Sequence, residues 1–315
     1  MFVFLHRLLR FFVLFWLVNT GVAMVLAPRL KLDIWNKYHW LLRKEAEHYD
    51  VAFVGSSRVM NSIDPVIVDE VSGIHSINLG MGGAGAADQY LILWEFLKTN
   101  KVDCVLLQID YVTLMDYFDY SFRDYIWLSY DDDPEVRRVL IDQCGTIRYF
   151  GWRLIPFLRM MEFSSQYRFF LTMDPPSKSG LDETGGSVRV DGTANGVVDH
   201  SYAKFSESKS AVKYLIRIVN LCRQNGIPVI SFQSPYSAEI EERTDRATSD
   251  GALSKFVQSE QLPFWDFSRD LYHQDELFFD RHHLNSEGVT VFSEMLGLRV
   301  KSELNPGNDL RRLEL

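Results

Sequence analysis

Three residue types from opposite ends of the chain could together carry out acyl transfer. In "DVAFVGSSRV", residues 50–59, an apolar strand runs into a glycine and two serines, so Ser57 stands where a strand ends and a helix begins. Open α/β folds gather ligands at that carboxyl edge, and the positive end of a following helix would steady a developing anion. In "ELFFDRHHLNSEGVTVFSEML", Asp280 precedes His283 by three residues. On a turn the two can lie on one side, the carboxylate orienting the imidazole and stabilising its charged form. Asn285 is then placed to cap a helix whose Val289, Phe292 and Met295 face the core. Serine, base and acid are the parts of nucleophilic acyl transfer. Each piece also has a plainer meaning. Ser-Ser before a helix is a helix cap, and D-x-x-H is a surface turn, in which His282 is an incidental polar residue.

Positioning these groups requires alternating elements. Apolar runs bounded by turn residues predict strands at 51–54, 74–78, 104–109 and 227–232, and helical spacing predicts helices at 38–49, 86–98 and 211–224. Alternation of this kind implies a mostly parallel sheet covered on both faces. Residues 116–205 interrupt it and read as an insertion at one edge of the sheet. Its aromatic run "YFDYSFRDYIWLSY" packs an inserted subdomain onto the core in preference to forming a sugar-stacking surface or lid. Residues 131–133 form a solvated turn that caps a helix at Pro134, and "DPPSKSGLDETGGSVRVDGTANG" is a mobile loop. Arg58 reads as a helix-surface residue rather than a ligand for a substrate carboxylate.

The chain has 315 residues, enough for one large α/β domain. With 24% charged and 47% hydrophobic residues, the body is neither disordered nor a multi-span membrane protein. A net charge of −9 without a basic segment argues against nucleic acid and favours a small-molecule or neutral-polymer substrate. Cys104, Cys144 and Cys222 are scattered without metal-like spacing and read as buried thiols, so neither metal nor cofactor is expected. At the N-terminus, Arg7 and Arg10 precede an uncharged apolar run over 11–27 that Pro28 and Arg29 close. It reads as an uncleaved membrane anchor, the alternative being a signal peptide processed near Gly21 and Ala23. The expected organisation is an anchor over 1–30, an α/β domain over 38–300 and a polar tail over 301–315. Basic residues after the span (Arg29, Lys31, Lys37, Arg43, Lys44) outnumber those before it, which by the positive-inside rule alone leaves the body in the cytoplasm.

"VAFVGSSRV" and "FFDRHHLNSEG" resemble the first and last sequence blocks of the SGNH, or GDSL-like, hydrolases. Gly55, Ser56 and Ser57 fall on the Gly-Asp-Ser of that family, and Asp280 and His283 on its Asp-x-x-His. The resemblance implies Ser57 as nucleophile, His283 as general base and Asp280 as its orienter. "INLGMGGAGAADQY" resembles the second block, whose glycine amide lines the oxyanion hole, with Gly83 the best match and Gly82 beside it. The third block, Gly-x-Asn-Asp, is replaced by "QIDYVTL", so the asparagine donor is missing. The resemblance implies a three-layer α/β/α, flavodoxin-like sandwich and ester hydrolysis or O-acyl transfer. For anchored members it implies an extracytoplasmic polysaccharide or cell-wall polymer as substrate, often beside a multi-span membrane O-acyltransferase, and so a body outside the cytoplasm. Two rivals stand. Gly80, Gly82 and Gly85 satisfy the G-x-G-x-x-G of nucleotide sites, with Asp110 placed to take a ribose, and the missing asparagine fits a non-catalytic binding protein.

Overall fold

The structure, a computed structural model, describes residues 2–30, 37–41, 44–115, 122–155, 181–192, 204–240 and 245–304. Helices within them are α1 (Phe2–Leu30), α2 (Lys37–Leu41), α3 (Ser57–Met60), α4 (Pro65–Ser72), α5 (Ala86–Phe96), α6 (Tyr111–Leu114), α7 (Asp124–Trp127), α8 (Pro134–Cys144), α9 (Thr146–Leu154), α10 (Lys209–Gln224), α11 (Arg246–Ser259) and α12 (Ser286–Leu304). The chain divides into two compact units, Met1–Trp40 with Arg123–Ser179, and Leu41–Phe122 with Gly180–Leu315.

The second unit holds the sheet. Strands β1 (His48–Val54), β2 (Ser76–Asn78), β3 (Lys101–Gln108), β4 (Val229–Gln233) and β5 (Phe264–Asp266) lie in the order β2-β1-β3-β4-β5. All four pairings are parallel, which gives the flavodoxin-type arrangement with its switch point beside β1. Because side chains alternate along a strand, Val51, Phe53, Cys104, Leu106, Ile230 and Phe232 share one face. There they form a core with Val289, Phe292, Leu296 and Val300 of α12. On this face α12 packs against α4, and α5 packs against α10 elsewhere in the unit. Gly297 lets α12 come close to α4, since a Cβ there would lie 2.9 Å from that of Val71. The amphipathic stripe of α10 buries Tyr214, Leu215, Ile218, Val219 and Cys222, and the Ser208 hydroxyl caps it by accepting from the Ala211 N–H.

Several expectations are corrected. The helix expected at 38–49 stops at Leu41, and β1 begins at His48. The β-branched and aromatic residues that follow prefer the sheet, where Val51 and Phe53 are buried. Neither α11 nor β5 is among the expected elements, the strand because its three residues "FWD" are too short for a pattern. The Gly-rich segment is packed where it is described. Gly185 accepts the Asn78 N–H along edge strand β2, Val188 donates to the Met60 carbonyl, and Arg189 pairs with Asp64 at 2.7 Å. It therefore covers a strand edge that would otherwise leave ladder groups unpaired. Helix α12 continues through Leu304, past the expected start of the tail.

In the first unit, α1 exposes nearly all of its apolar side chains over residues 2–22. By length and composition alone, Phe2–Val22 is long and apolar enough to cross a membrane. Tyr38 of α2 sits edge-on to Trp127 at 4.2 Å and to Tyr130 at 5.2 Å between ring centroids. Residues 117–121 of the aromatic run lie outside the described residues. Asp133 caps α8 as expected, accepting from the Glu135 and Val136 N–H groups. Asp131, expected in a solvated turn, is buried and receives hydrogen bonds from Tyr149 and Arg153. Cys104 and Cys222 are buried thiols, whereas Cys144 is only half-buried.

Candidate active site

Strand β1 delivers its chain to the carboxyl edge of the sheet at Gly55, where no side chain fits. A Cβ there would lie 2.4 Å from Val59 Cγ2 and 2.8 Å from Gln108 Oε1. Ser56 is extended and caps α3, its hydroxyl accepting the Arg58 N–H at 3.3 Å. The cap is thus Ser56, and the Ser57 hydroxyl is left to reach His283 Nε2 at 2.8 Å. Because α3 has four residues, the helix dipole expected behind Ser57 is that of a single turn, and backbone N–H groups matter more than a macrodipole.

His283 stands on a tight turn closed by the Phe278–Leu284 bridge. Asp280 Oδ1 accepts the backbone N–H groups of His282 and His283, each at 2.8 Å, and Asp280 Oδ2 lies 2.9 Å from His283 Nδ1. A carboxylate acceptor fixes the proton on Nδ1 and leaves the Nε2 lone pair facing the Ser57 hydroxyl. Burial alone would raise the Asp280 carboxyl. The hydrogen bond and charge of His283 and the two backbone donors outweigh it and hold the group at about 2. Asn285 does cap α12, its Oδ1 accepting the Gly288 N–H at 3.0 Å.

The glycine loop after β2 lies against the same corner. Met81 donates to the Gly55 carbonyl, and a Cβ on Gly80 would lie 2.5 Å from the Met60 backbone nitrogen. Gly83, at φ +65°, turns the chain toward α5. Among the described residues, the backbone N–H groups of Ser57 and Gly82 have no hydrogen-bond partner.

Two residues that read as incidental in the sequence, Arg58 and His282, are structural centres. Arg58 is fully buried, with Nη1 donating to Asp110 Oδ2 at 2.6 Å and Nη2 to the Ser234 and Pro235 carbonyls, both at 2.8 Å. Asp110 Oδ1 further accepts from the Thr113 N–H and hydroxyl, both at 2.9 Å. Asp110 is fully buried with both carboxylate oxygens engaged, which speaks against the ribose role that the rival nucleotide reading gave it. The ion pair stands where the resemblance led one to seek an asparagine donor, and it ties the carboxyl ends of β1, β3 and β4 together. An arginine directly after the strand-end serine and an aspartate at the end of the next inner strand were the available signal. His282 is also no loose surface residue. Arg281 Nε–H donates to its Nε2 at 3.1 Å, which leaves Nδ1–H to donate to the Tyr111 oxygen at 2.9 Å. Burial first, then the nearby Arg58 charge, lower the His282 ring to about 3, so it is neutral and distinct in role from His283.

No family model and no curated protein matches the chain. Solved structures are similar to it. The lipase/acylhydrolase from Enterococcus faecalis is 12% identical, with 84% of this chain and 100% of that chain covered and a TM-score of 0.41. A GDSL-like lipase from Bacteroides thetaiotaomicron is 11% identical, with coverages of 81% and 88% and a TM-score of 0.40. An acetyl xylan esterase is 13% identical, with coverages of 79% and 98% and a TM-score of 0.40. At these identities and scores the likeness carries neither activity nor substrate.

Proposed function

We propose that this chain is a membrane-anchored, SGNH-type serine esterase or O-acyltransferase in which Ser57 attacks an ester carbonyl. The observation that carries the reading is the hydrogen-bonded series Ser57, His283, Asp280, with distances of 2.8 and 2.9 Å and the imidazole held in the tautomer a general base requires. As Ser57 Oγ bonds to the carbonyl carbon, its proton passes to His283 Nε2. The resulting imidazolium is stabilised by ionised Asp280. The uncommitted Ser57 and Gly82 N–H groups support an oxyanion hole without asparagine, with Gly83 setting the turn that presents them. Collapse expels the alcohol, which takes the proton from His283, and leaves an acyl-serine. Water or a second hydroxyl then attacks it by the reverse route, giving acid or new ester.

His283 and Asp280 keep 24% and 32% of their side-chain surface exposed, which suits a polymer approaching an open sheet edge. Together with the apolar, exposed α1 and the resemblance of the sequence blocks, this supports an extracytoplasmic polysaccharide or cell-wall polymer as acceptor. It is also compatible with work beside a multi-span membrane O-acyltransferase. The test is turnover of an activated acetyl ester by purified protein, with and without an oligosaccharide acceptor. Release of acetate, or its transfer to the acceptor, should fall to the uncatalysed level in Ser57→Ala. Turnover that survives the substitution would refute the reading, and wild-type protein without turnover would leave a binding protein of the same fold.

A further inference from the structure

Helix α9 presents a second apolar surface in the unit that contains α1. Tyr149 and Trp152 bury one side of it. On the opposite side, where a soluble protein normally places polar residues, Ile147 is 91% exposed, Phe150 52% and Leu154 66%. Spacings of three and four set these side chains in one stripe. The helix contains Arg148 and Arg153 and no acidic residue. Both side chains are about half-exposed, and each guanidinium is held on one side, that of Arg148 by Asp124 at 2.9 Å and over the Trp152 ring at 4.8 Å, and that of Arg153 by Asp131 at 3.2 Å. An apolar stripe flanked by half-exposed arginines is the composition of a helix lying in a lipid interface, with the exposed part of each arginine beside anionic headgroups.

The chain also constrains where this surface can be. Seven residue steps separate Leu30 of α1 from Lys37 of α2, a reach of at most roughly 25 Å. Tyr38 then packs directly on Trp127 of α7, and Asp124 of that helix holds α9 through Arg148. A membrane that takes up α1 therefore has α9 and its apolar stripe in the same compact unit, close to the point where the chain leaves the bilayer.

We infer that α9 docks, through Ile147, Phe150 and Leu154, on the surface of an anionic lipid membrane and gives the anchored protein a second membrane contact. The inference rests on the anchoring reading of α1 but not on the esterase reading. The experiment reconstitutes the full chain in nanodiscs of phosphatidylcholine and phosphatidylglycerol that include a lipid with a diazirine on its acyl chain, followed by irradiation and peptide mapping by mass spectrometry. Adducts are expected on α1 and on residues 146–155. In Ile147→Glu/Leu154→Glu, whose changed positions face solvent and so leave the fold intact, the α9 adducts should drop several-fold while those on α1 and the ester turnover persist. Adducts on α1 with none on 146–155 would overturn the inference. An unlabelled α1 would instead refute the anchor.

Discussion

At the scale of single residues, Ser57 and Asp280 have separable duties. The serine supplies the attacking atom, so Ser57→Ala should remove ester turnover while leaving the circular dichroism spectrum unchanged, because Ser56 and not Ser57 caps α3. Asp280→Asn keeps the shape but loses the charge that stabilises the imidazolium, and turnover should fall by roughly 10⁴-fold without vanishing. The neighbouring histidines should differ in the same way, with His283→Gln abolishing turnover and His282→Asn acting on stability. His282 is held neutral, its ring lowered to about 3 from an unfolded value of about 6.5. Between these values the unfolded chain binds the extra proton. Stability should therefore decline as pH falls from about 6.5 toward 3, with a slope of at most about 1.4 kcal/mol per pH unit. Asp280, lowered to about 2, adds a second loss below its unfolded value of about 3.9. Thermal midpoints between about pH 2.5 and 8 would check this, since His282→Asn should flatten the upper part of the decline and leave the lower.

At the scale of elements, the site depends on loops pressed together at the carboxyl edge of the sheet. A methyl group on Gly80 would meet backbone, at 2.5 Å from the Met60 nitrogen, rather than a side chain that can move. Gly80→Ala should cost about 1–3 kcal/mol in chemical denaturation and lower turnover by shifting the glycine loop. The Arg58–Asp110 pair joins three strand ends, and Arg58→Met would leave a buried carboxylate without its partner, at about 3–5 kcal/mol. Arg58→Met/Asp110→Leu should recover much of that loss, measured the same way. These elements also define what the sequence could say. Apolar runs with turn residues revealed β1, β3, β4 and α10, and the strand-end serine with D-x-x-H located the groups that now hydrogen-bond. Hidden were features set by tertiary contact. Arg58 is a charged residue whose burial depends on Asp110 and two carbonyls contributed by distant segments, and the order at 181–192 comes from pairing with an edge strand rather than from its own Gly-rich composition.

At the scale of the whole molecule, the extracytoplasmic body of the proposed function and the basic residues that follow α1 pull in opposite directions. The account predicts that a C-terminal reporter active only outside the cytoplasm gives signal and that one active only inside does not. The reverse pattern would mean that flanking charge governs orientation. The most direct test of the central claim is the intact mass of the full-length protein after treatment with a fluorophosphonate, which phosphonylates a serine activated by a neighbouring base. The account predicts a gain of a single phosphonyl group in the wild type and in Ser56→Ala, and no gain in Ser57→Ala of unchanged fold. Labelling that persists in Ser57→Ala, or a wild-type chain that never labels, would contradict it.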